Sequence, residues 1–511
     1  MKQLEKNLIE LYRSLLNKEF IARQVSDAAH PDYRLSAMNL VRYITLRNQD
    51  LRNVHDHLSE IGVSSLRTCE SYVMHNVISV LKIIKRLNGQ DWEPADVETI
   101  GYKGSKKLLR KHSRQLFNTK KTDRLTKIMV TLPEEAAKDP MMIRDMLTAG
   151  MEIARINLSH GDESEWVSMV DHVRTQAELL DKQCMIYMDL SGPKIRTGSI
   201  SISRKGKAPQ NFIRLHKGDH LVLTSDQEII NDAVYGSSGE LLQFASVSVS
   251  LPAIINDAEL GHRVFFDDGK IEAKVIKKRP GELEVIIVNA KEKGVKLRSE
   301  KGINLPDTKL NLPSLTADDI ANMPLVLEHA DIVGYSFVRT AEDVEMLYRE
   351  MDKHQEGDIG VVLKIENQES FENLPMLLLA AMKRPRIGVM IARGDLAVEI
   401  GPERIAEVQD QIMWICEAAH VPVVWATQVL ENLAKTGQVT RAEITDAAKS
   451  ARAECVMLNK GPFVIDAVAL LSKILKKMEG HTSKKKSVMR ALKVSQKNLD
   501  RIGRALSKTE K

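Results

Sequence analysis

The chain has 511 residues, which at about 150 residues per domain allows for about three domains. Hydrophobic residues make up 43% and charged residues 28%, an ordinary balance for a chain that buries large cores, and no apolar run reaches the roughly 20 residues of a membrane span. A net charge of +5 is too small at this length to point to nucleic acid, and the charge-interrupted start, MKQLEKNLIELYRSLLNKEF, lacks the apolar stretch of a secretory signal.

In chain order, residues 1–120 read as an all-α region. Leu4, Leu8, Leu11 and Leu15 recur at helical spacing, as do Val73, Val77, Val80 and Ile83–Ile84. A basic stretch, YKGSKKLLRKHSRQLFNTKKTDR, follows as a solvated helix face or linker. From residue 126 short β-branched runs alternate with amphipathic stretches. The runs are TKIMVTL (126–132), EIARINL (152–158), CMIYMDL (184–190), ADIVGYSFV (330–338), IGVVLKI (359–365), RIGVMIA (386–392), VPVVWAT (421–427) and ECVMLN (454–459). Apolar strands without polar alternation belong to parallel sheets buried on both faces. Eight strand–helix alternations predict a (β/α)8 TIM barrel over 121–198 and 306–480. Residues 199–305 break the pattern with turn-punctuated strand signals such as HLVLTS, ASVSVS and ELEVIIVNA, and read as an all-β domain inserted after the third barrel strand. Without that insert, the remainder is close to the about 250 residues a barrel needs. Residues 481–511 carry ten Lys or Arg against Asp500 and Glu510, and read as a solvated basic helix. The four cysteines, Cys69, Cys184, Cys416 and Cys455, lie far apart, as reduced thiols of a cytoplasmic protein would.

Barrel chemistry gathers at the C-terminal ends of strands. The second run delivers Arg155, Asn157, Ser159 and His160 there. The third delivers Asp189 and then Lys194 and Arg196. The fifth delivers Lys364 and Glu366. The sixth is followed by Arg393, Gly394 and Asp395, and the seventh ends in Thr427 and Gln428. Glu366 and Asp395 offer hard oxygen ligands suited to Mg²⁺ beside phosphates. Arg155, Arg196 and Lys364 can clamp a phosphoryl group in transfer, and Gly394 lets backbone N–H groups approach an anion. Neither a P-loop pattern nor a zinc cluster competes.

The stretches AGMEIARINLSHG (149–161), DLSGPKIRTG (189–198), FFDDGKIEAKV (265–275), EKGINLPDTKLNLPSLT (300–316), DIVGYSFVRTAEDV (331–344), LKIEN (363–367), VMIARGDLAVEI (389–400), VVWATQVLENL (423–433) and TRAEITDAA (440–448) resemble the pyruvate kinase family in sequence and order. The resemblance implies glycolytic phosphoryl transfer from phosphoenolpyruvate to ADP, giving pyruvate and ATP, in the cytoplasm. It implies Mg²⁺ (or Mn²⁺) on Glu366 and Asp395. Lys364 and Arg155 would hold the phosphoryl group, and Thr427 would assist protonation of the enolate. Asn157, Ser159, His160, Asp189, Arg393 and Gly394 would lie on the substrate and nucleotide side, with Arg196 near a phosphate. The inserted β domain would close as a lid. Neither nucleic acid nor membrane is expected as a partner; a homo-oligomer is.

Four departures stand out. Potassium-dependent members carry Thr and Glu where this chain has Leu190 and Lys194, so Lys194 is expected to replace the monovalent cation and K⁺ not to be required. The first strand leads into Thr131-Leu132-Pro133-Glu134-Glu135, and the eighth into Asn459-Lys460-Gly461-Pro462, both unlike the family. The family's C-terminal allosteric domain has no counterpart, the short basic tail standing in its place, and a helical N-terminal region is added. The altered strand ends leave two alternatives: a phosphoenolpyruvate-using phosphotransferase with another acceptor, or a weakly active phosphoenolpyruvate-binding regulatory protein.

Overall fold

The structure is a computed structural model that describes residues 1–63, 66–118, 124–202, 209–226, 232–235, 238, 241–354, 358–479 and 491–509. Eight parallel strands close a barrel: β1 (Lys127–Thr131), β2 (Ile153–Asn157), β3 (Met185–Asp189), β4 (Ile332–Tyr335), β5 (Gly360–Ile365), β6 (Ile387–Ala392), β7 (Val423–Ala426) and β8 (Cys455–Leu458). Each lies inside one of the eight apolar runs, and closure pairs β1 with both β2 and β8. Between β3 and β4 the chain builds a six-stranded sheet in the order Ile303–Asn304, Arg263–Phe266, Ile271–Arg279, Glu282–Asn289, His220–Thr224, Ala245–Ser248. Its strands alternate buried and open positions, as in Glu282–Asn289, and enclose a core separate from the barrel's.

The N-terminal region forms helices α1 (Lys2–Leu16), α2 (Glu19–Ala28), α3 (Arg34–Arg47), α4 (Arg52–Glu60), α5 (Val73–Leu87) and α6 (Tyr102–Phe117). The leucine stripe of α1 is buried. So are Val73, Val77, Val80 and Ile84 of α5, whereas Ile83 faces outward. Buried along nearly its whole length, α3 packs against α1, α2, α5 and the barrel helix Ile405–Ala418. These helices share one continuous core with the barrel.

The basic stretch around 102–124 proves to be more than a linker. At its C-terminus α6 inserts Leu116 and Phe117, both fully buried, into the barrel interior against Met129, Ile153, Val362, Met390 and Val424. Two glycines at the starts of β5 and β6 make the room. A Cβ at Gly360 would lie 2.7 Å, and one at Gly388 2.6 Å, from the Leu116 methyls. Arg386 ties down the plug with a bond from Nε to the Gln115 carbonyl at 2.9 Å. Beside it His112 Nδ1 sits 2.7 Å from the His420 carbonyl, and Asn39 Nδ2 donates to the Ala418 carbonyl at 2.8 Å. The barrel's N-terminal mouth is thus stoppered by the added region, and its C-terminal mouth faces the inserted domain.

The basic tail also differs from the solvated helix expected. Its helix, Lys493–Thr509, buries Val494, Leu499 and Ile502 between α2, α3 and the barrel helix Gln368–Ala381, and Lys497 pairs with Glu372. An apolar stripe among lysines reads as amphipathic; only the neighbouring helices decide that it is covered.

Candidate active site

A chain of charges crosses the barrel's C-terminal mouth from β2 to β6. Asp189, at the end of β3 and 1% exposed, accepts from Arg155 through Nε at 3.1 Å and also through Nη2. The same oxygen, Oδ2, accepts from Lys364 Nζ at 3.0 Å. Lys364 also donates to Ser336 Oγ at 2.7 Å and lies 3.1 Å from Glu366 Oε1. Arg155 Nη1 donates to Thr131 Oγ1 at 2.9 Å. Asp189, Lys364, Glu366, Ser336 and Thr131 are buried and Arg155 nearly so, so the pairs are little screened. Burial alone would raise the pKa of Asp189, but the charges of Lys364 and Arg155 outweigh it and hold the carboxyl below its ordinary value. Burial likewise opposes the charge on Lys364, yet Asp189 and Glu366 keep its pKa raised.

Glu366 behaves in the opposite way. Its pKa is raised, first by burial and then by the charges of Asp395 and Asp189, although Lys364 opposes them. Its Oε2 accepts from the backbone N–H of Phe337 at 2.6 Å, at a residue held at φ +54°. Asp395 opens the helix Arg393–Ile400, directly after β6. Glu366 and Asp395 line one cleft of about 100 Å³ between barrel and inserted domain, with Lys194, Asn304, Phe337 and Glu399. Asp395 adds to the rise in Glu366, and the two carboxylates line one cleft with hard oxygen donors, which suits a divalent cation. Among the described residues no three His, Cys, Asp or Glu side chains cluster as a metal cage. A hard ion here would take its remaining ligands from substrate and water, as Mg²⁺ commonly does. In the same cleft, Glu399 accepts from Asn304 Nδ2 of the inserted sheet at 3.1 Å. Burial, with Asp395 adding, pushes its carboxyl up to about 7.

The remaining sequence candidates are distributed unevenly. Thr427 follows β7 at φ +61° and accepts from the Gly394 N–H at 2.9 Å, so it faces the start of the Asp395 helix. Arg393 does not enter the cleft. Its guanidinium is consumed by Asp446 at 2.7 and 2.9 Å, by the carbonyls of Ala426 and Thr427, and by the Trp425 ring. It holds the turn that carries Thr427. Lys194 does not approach Asp189; its Nζ lies 3.1 Å from both oxygens of Asp395 and 5.9 Å from the centre of the Phe337 ring. Arg196 bonds the Glu300 carbonyl at 3.1 Å in the connection to the inserted domain. The β2 end places His160 on the outer rim, its pKa lowered by burial and then by the charges of Lys460 and Arg196. Asn157 Oδ1 accepts from the Ser159 N–H at 3.3 Å.

Sequence reasoning passed over Ser336 and Phe337, and took Thr131 only as the start of an altered strand end. Ser336 and Thr131 lie at the C-terminal ends of β4 and β1, so the strand-end rule reaches them; the backbone N–H that Phe337 offers Glu366 leaves no trace in composition. It also missed that the two unusual strand ends meet: Lys460, after β8, lies 3.2 Å from Glu134, after β1.

A (β/α)8 barrel with a buried carboxylate–ammonium cluster at its C-terminal mouth, roofed by a β domain inserted after β3, defines the class of protein. The barrel-domain model of pyruvate kinase matches residues 123–466, and the chain belongs to the pyruvate kinase family. Pyruvate kinases of Staphylococcus aureus, strains USA300 and COL among them, are 33% identical over 330 residues, 64% of this chain and 51% of theirs. The chain thus spans about half the length of the curated relatives it matches. The crystal structure of a pyruvate kinase from Cryptosporidium parvum superposes with a TM-score of 0.60 at 28% identity, over 72% of this chain and 73% of that one. Among the described residues no helix is long and apolar enough to cross a membrane.

Proposed function

We propose that the chain transfers the phosphoryl group of phosphoenolpyruvate to ADP, releasing pyruvate and ATP. The observation that carries this reading is the buried trio Asp189, Lys364 and Glu366, with Arg155 bonded to Asp189 and with Asp395 in the same cleft as Glu366. Asp189 orients both cations, so that Arg155 and Lys364 present fixed positive charge where the phosphoryl oxygens gather charge during transfer. The bond from phosphorus to the enol oxygen breaks as one forms to the terminal phosphate oxygen of ADP. The enolate left behind takes a proton at carbon to become pyruvate, beside Thr427. Glu366 and Asp395 would hold Mg²⁺, or Mn²⁺ in its place, which when bound supplies charge neutralisation between the two phosphates. Closure of the inserted domain over the cleft would exclude water. Lys194 brings a tethered positive charge into the cluster, which supports turnover without K⁺. Asn157, Ser159 and His160 would border the substrate and nucleotide, Arg196 would lie near a phosphate, and Gly394 lies against Thr427.

The Glu134–Lys460 pair favours a second reading, in which the acceptor is a different phosphate. It joins the two strand ends where this chain departs from its relatives. A lactate-dehydrogenase-coupled assay with ADP and other nucleoside diphosphates separates the readings. Pyruvate with ADP as the best acceptor supports the first, and preference for another diphosphate supports the second. No pyruvate with any acceptor would refute both and leave a binding role.

A further inference from the structure

The salt bridge between Lys194 and Asp395 joins a residue of the connection leading into the inserted domain to a carboxylate of the metal pair. The Lys194 side chain is confined. A Cβ on Gly302, in the returning connection, would lie 3.3 Å from its Cε, and the Phe337 ring flanks its ammonium. Its Nζ reaches both Asp395 oxygens at 3.1 Å, the face of the carboxylate an incoming cation would use. Glu366 is already matched to Lys364 at 3.1 Å. Three carboxylates, Asp189, Glu366 and Asp395, thus stand against three cations, Arg155, Lys364 and Lys194. Formally the cluster is neutral. An acidic residue at position 194 would leave it doubly negative, matched to a divalent ion before any substrate arrives.

We propose that Lys194 occupies Asp395 in competition with the divalent cation, so that metal binds well only when an anionic phosphate ligand draws the ammonium away. This rests on the reading above that Glu366 and Asp395 form the metal pair. The anion gives Lys194 a second partner within the same cleft, and Asp395 is released to the metal as the phosphate is neutralised from both sides. Metal and phosphate ligand then bind cooperatively, and by linkage each raises the other's affinity by the same factor.

The test uses the full chain and Mn²⁺, with bound ion read from loss of the free-ion paramagnetic resonance signal, in the absence and presence of phosphoenolpyruvate without ADP. Wild type should bind Mn²⁺ weakly alone and tightly with phosphoenolpyruvate. Lys194→Met should bind Mn²⁺ alone at least about tenfold more tightly, since a positive charge leaves the neighbourhood of a divalent ion. Its gain from phosphoenolpyruvate should shrink by a similar factor. Lys194→Arg, which keeps the charge, should resemble wild type and shows whether a change in folding mimics the effect. Lys194→Met with wild-type Mn²⁺ affinity and an unchanged gain overturns the competition while leaving the metal pair intact. Asp395→Asn and Glu366→Gln chains that still bind Mn²⁺ like wild type with phosphoenolpyruvate present overturn the metal pair, and the competition with it. Absence of Mn²⁺ binding to wild type under both conditions does the same.

Discussion

The contact between α6 and the barrel floor can be tested through one methyl group. At Gly388 a Cβ would fall 2.6 Å from Leu116 Cδ2 and 3.2 Å from Val362 Cγ2, in a part of the core where Leu116 is fully buried. Gly388→Ala is therefore an overpacking substitution expected to cost about 1–3 kcal/mol, net of a few tenths regained from the less flexible unfolded chain. Leu116→Ala removes the obstructing methyls and leaves a hole, at about 2–5 kcal/mol. In the double variant the new methyl enters that hole, so the combined loss should fall short of the sum by about 1–3 kcal/mol. Urea unfolding followed by tryptophan fluorescence reads this, because Trp425 is buried in β7. The added helices share one core with the barrel, so both should lose structure in one transition. Additivity within about 0.5 kcal/mol would mean that Leu116 does not fill the space in front of Gly388, and the account of the plug would be wrong.

Four further outcomes follow from the same geometry. Lys364→Met removes a buried ammonium shared by Asp189, Ser336 and Glu366; turnover in the coupled assay should fall by about 10²–10³ or more, and a loss under tenfold would remove Lys364 from the transfer step. Turnover in buffer free of sodium and potassium should be essentially that seen with added K⁺; negligible activity restored by K⁺ would show that Lys194 does not stand in for the monovalent ion. Arg393→Ala should lower turnover by loosening the Thr427 turn while changing phosphoenolpyruvate KM little, because its guanidinium is spent on Asp446 and on the carbonyls of 426 and 427; a KM effect alone would place it at the substrate instead. His420, buried with ring nitrogens 3.1 Å from Ser36 Oγ and 2.9 Å from the Ser71 carbonyl, has its pKa depressed by burial, and then by His112, to about 3. The native ring stays neutral where the unfolded one, at about 6.5, takes a proton. Stability is therefore full above about pH 6.5 and declines as pH falls towards 3, by up to roughly 1.4 kcal/mol per unit. His420→Gln should flatten the change in urea midpoint between pH 7.5 and 5; an unaltered slope would remove His420 as its source.

The barrel was legible because its physics is local. Each strand is a short β-branched run such as Val361–Leu363 or Val389–Ile391, buried on both faces, and needs no polar alternation to declare itself. Glu366, Lys364 and Asp189 could be singled out for the same reason: strand ends in a barrel converge on one rim, so position along the chain already implies proximity. What the chain order could not supply was which neighbour each charge would choose. The sequence places Lys194 after the third strand as a stand-in for a monovalent cation but names no partner for it; in the fold its ammonium turns to Asp395, while Arg155 and Lys364 satisfy Asp189. Arg393 was expected in the cleft and is instead held behind it by Asp446. Leu116 and Phe117 read as the end of a basic helix, and the basic tail as a solvated one. Only the packed molecule shows two glycines opening the barrel floor to the first, and α3 covering the apolar face of the second. Periodicity and strand ends specify what a segment is and which way it points; the partner of a long side chain or an apolar face depends on which competing groups reach it first, and that is decided only when the whole chain is folded.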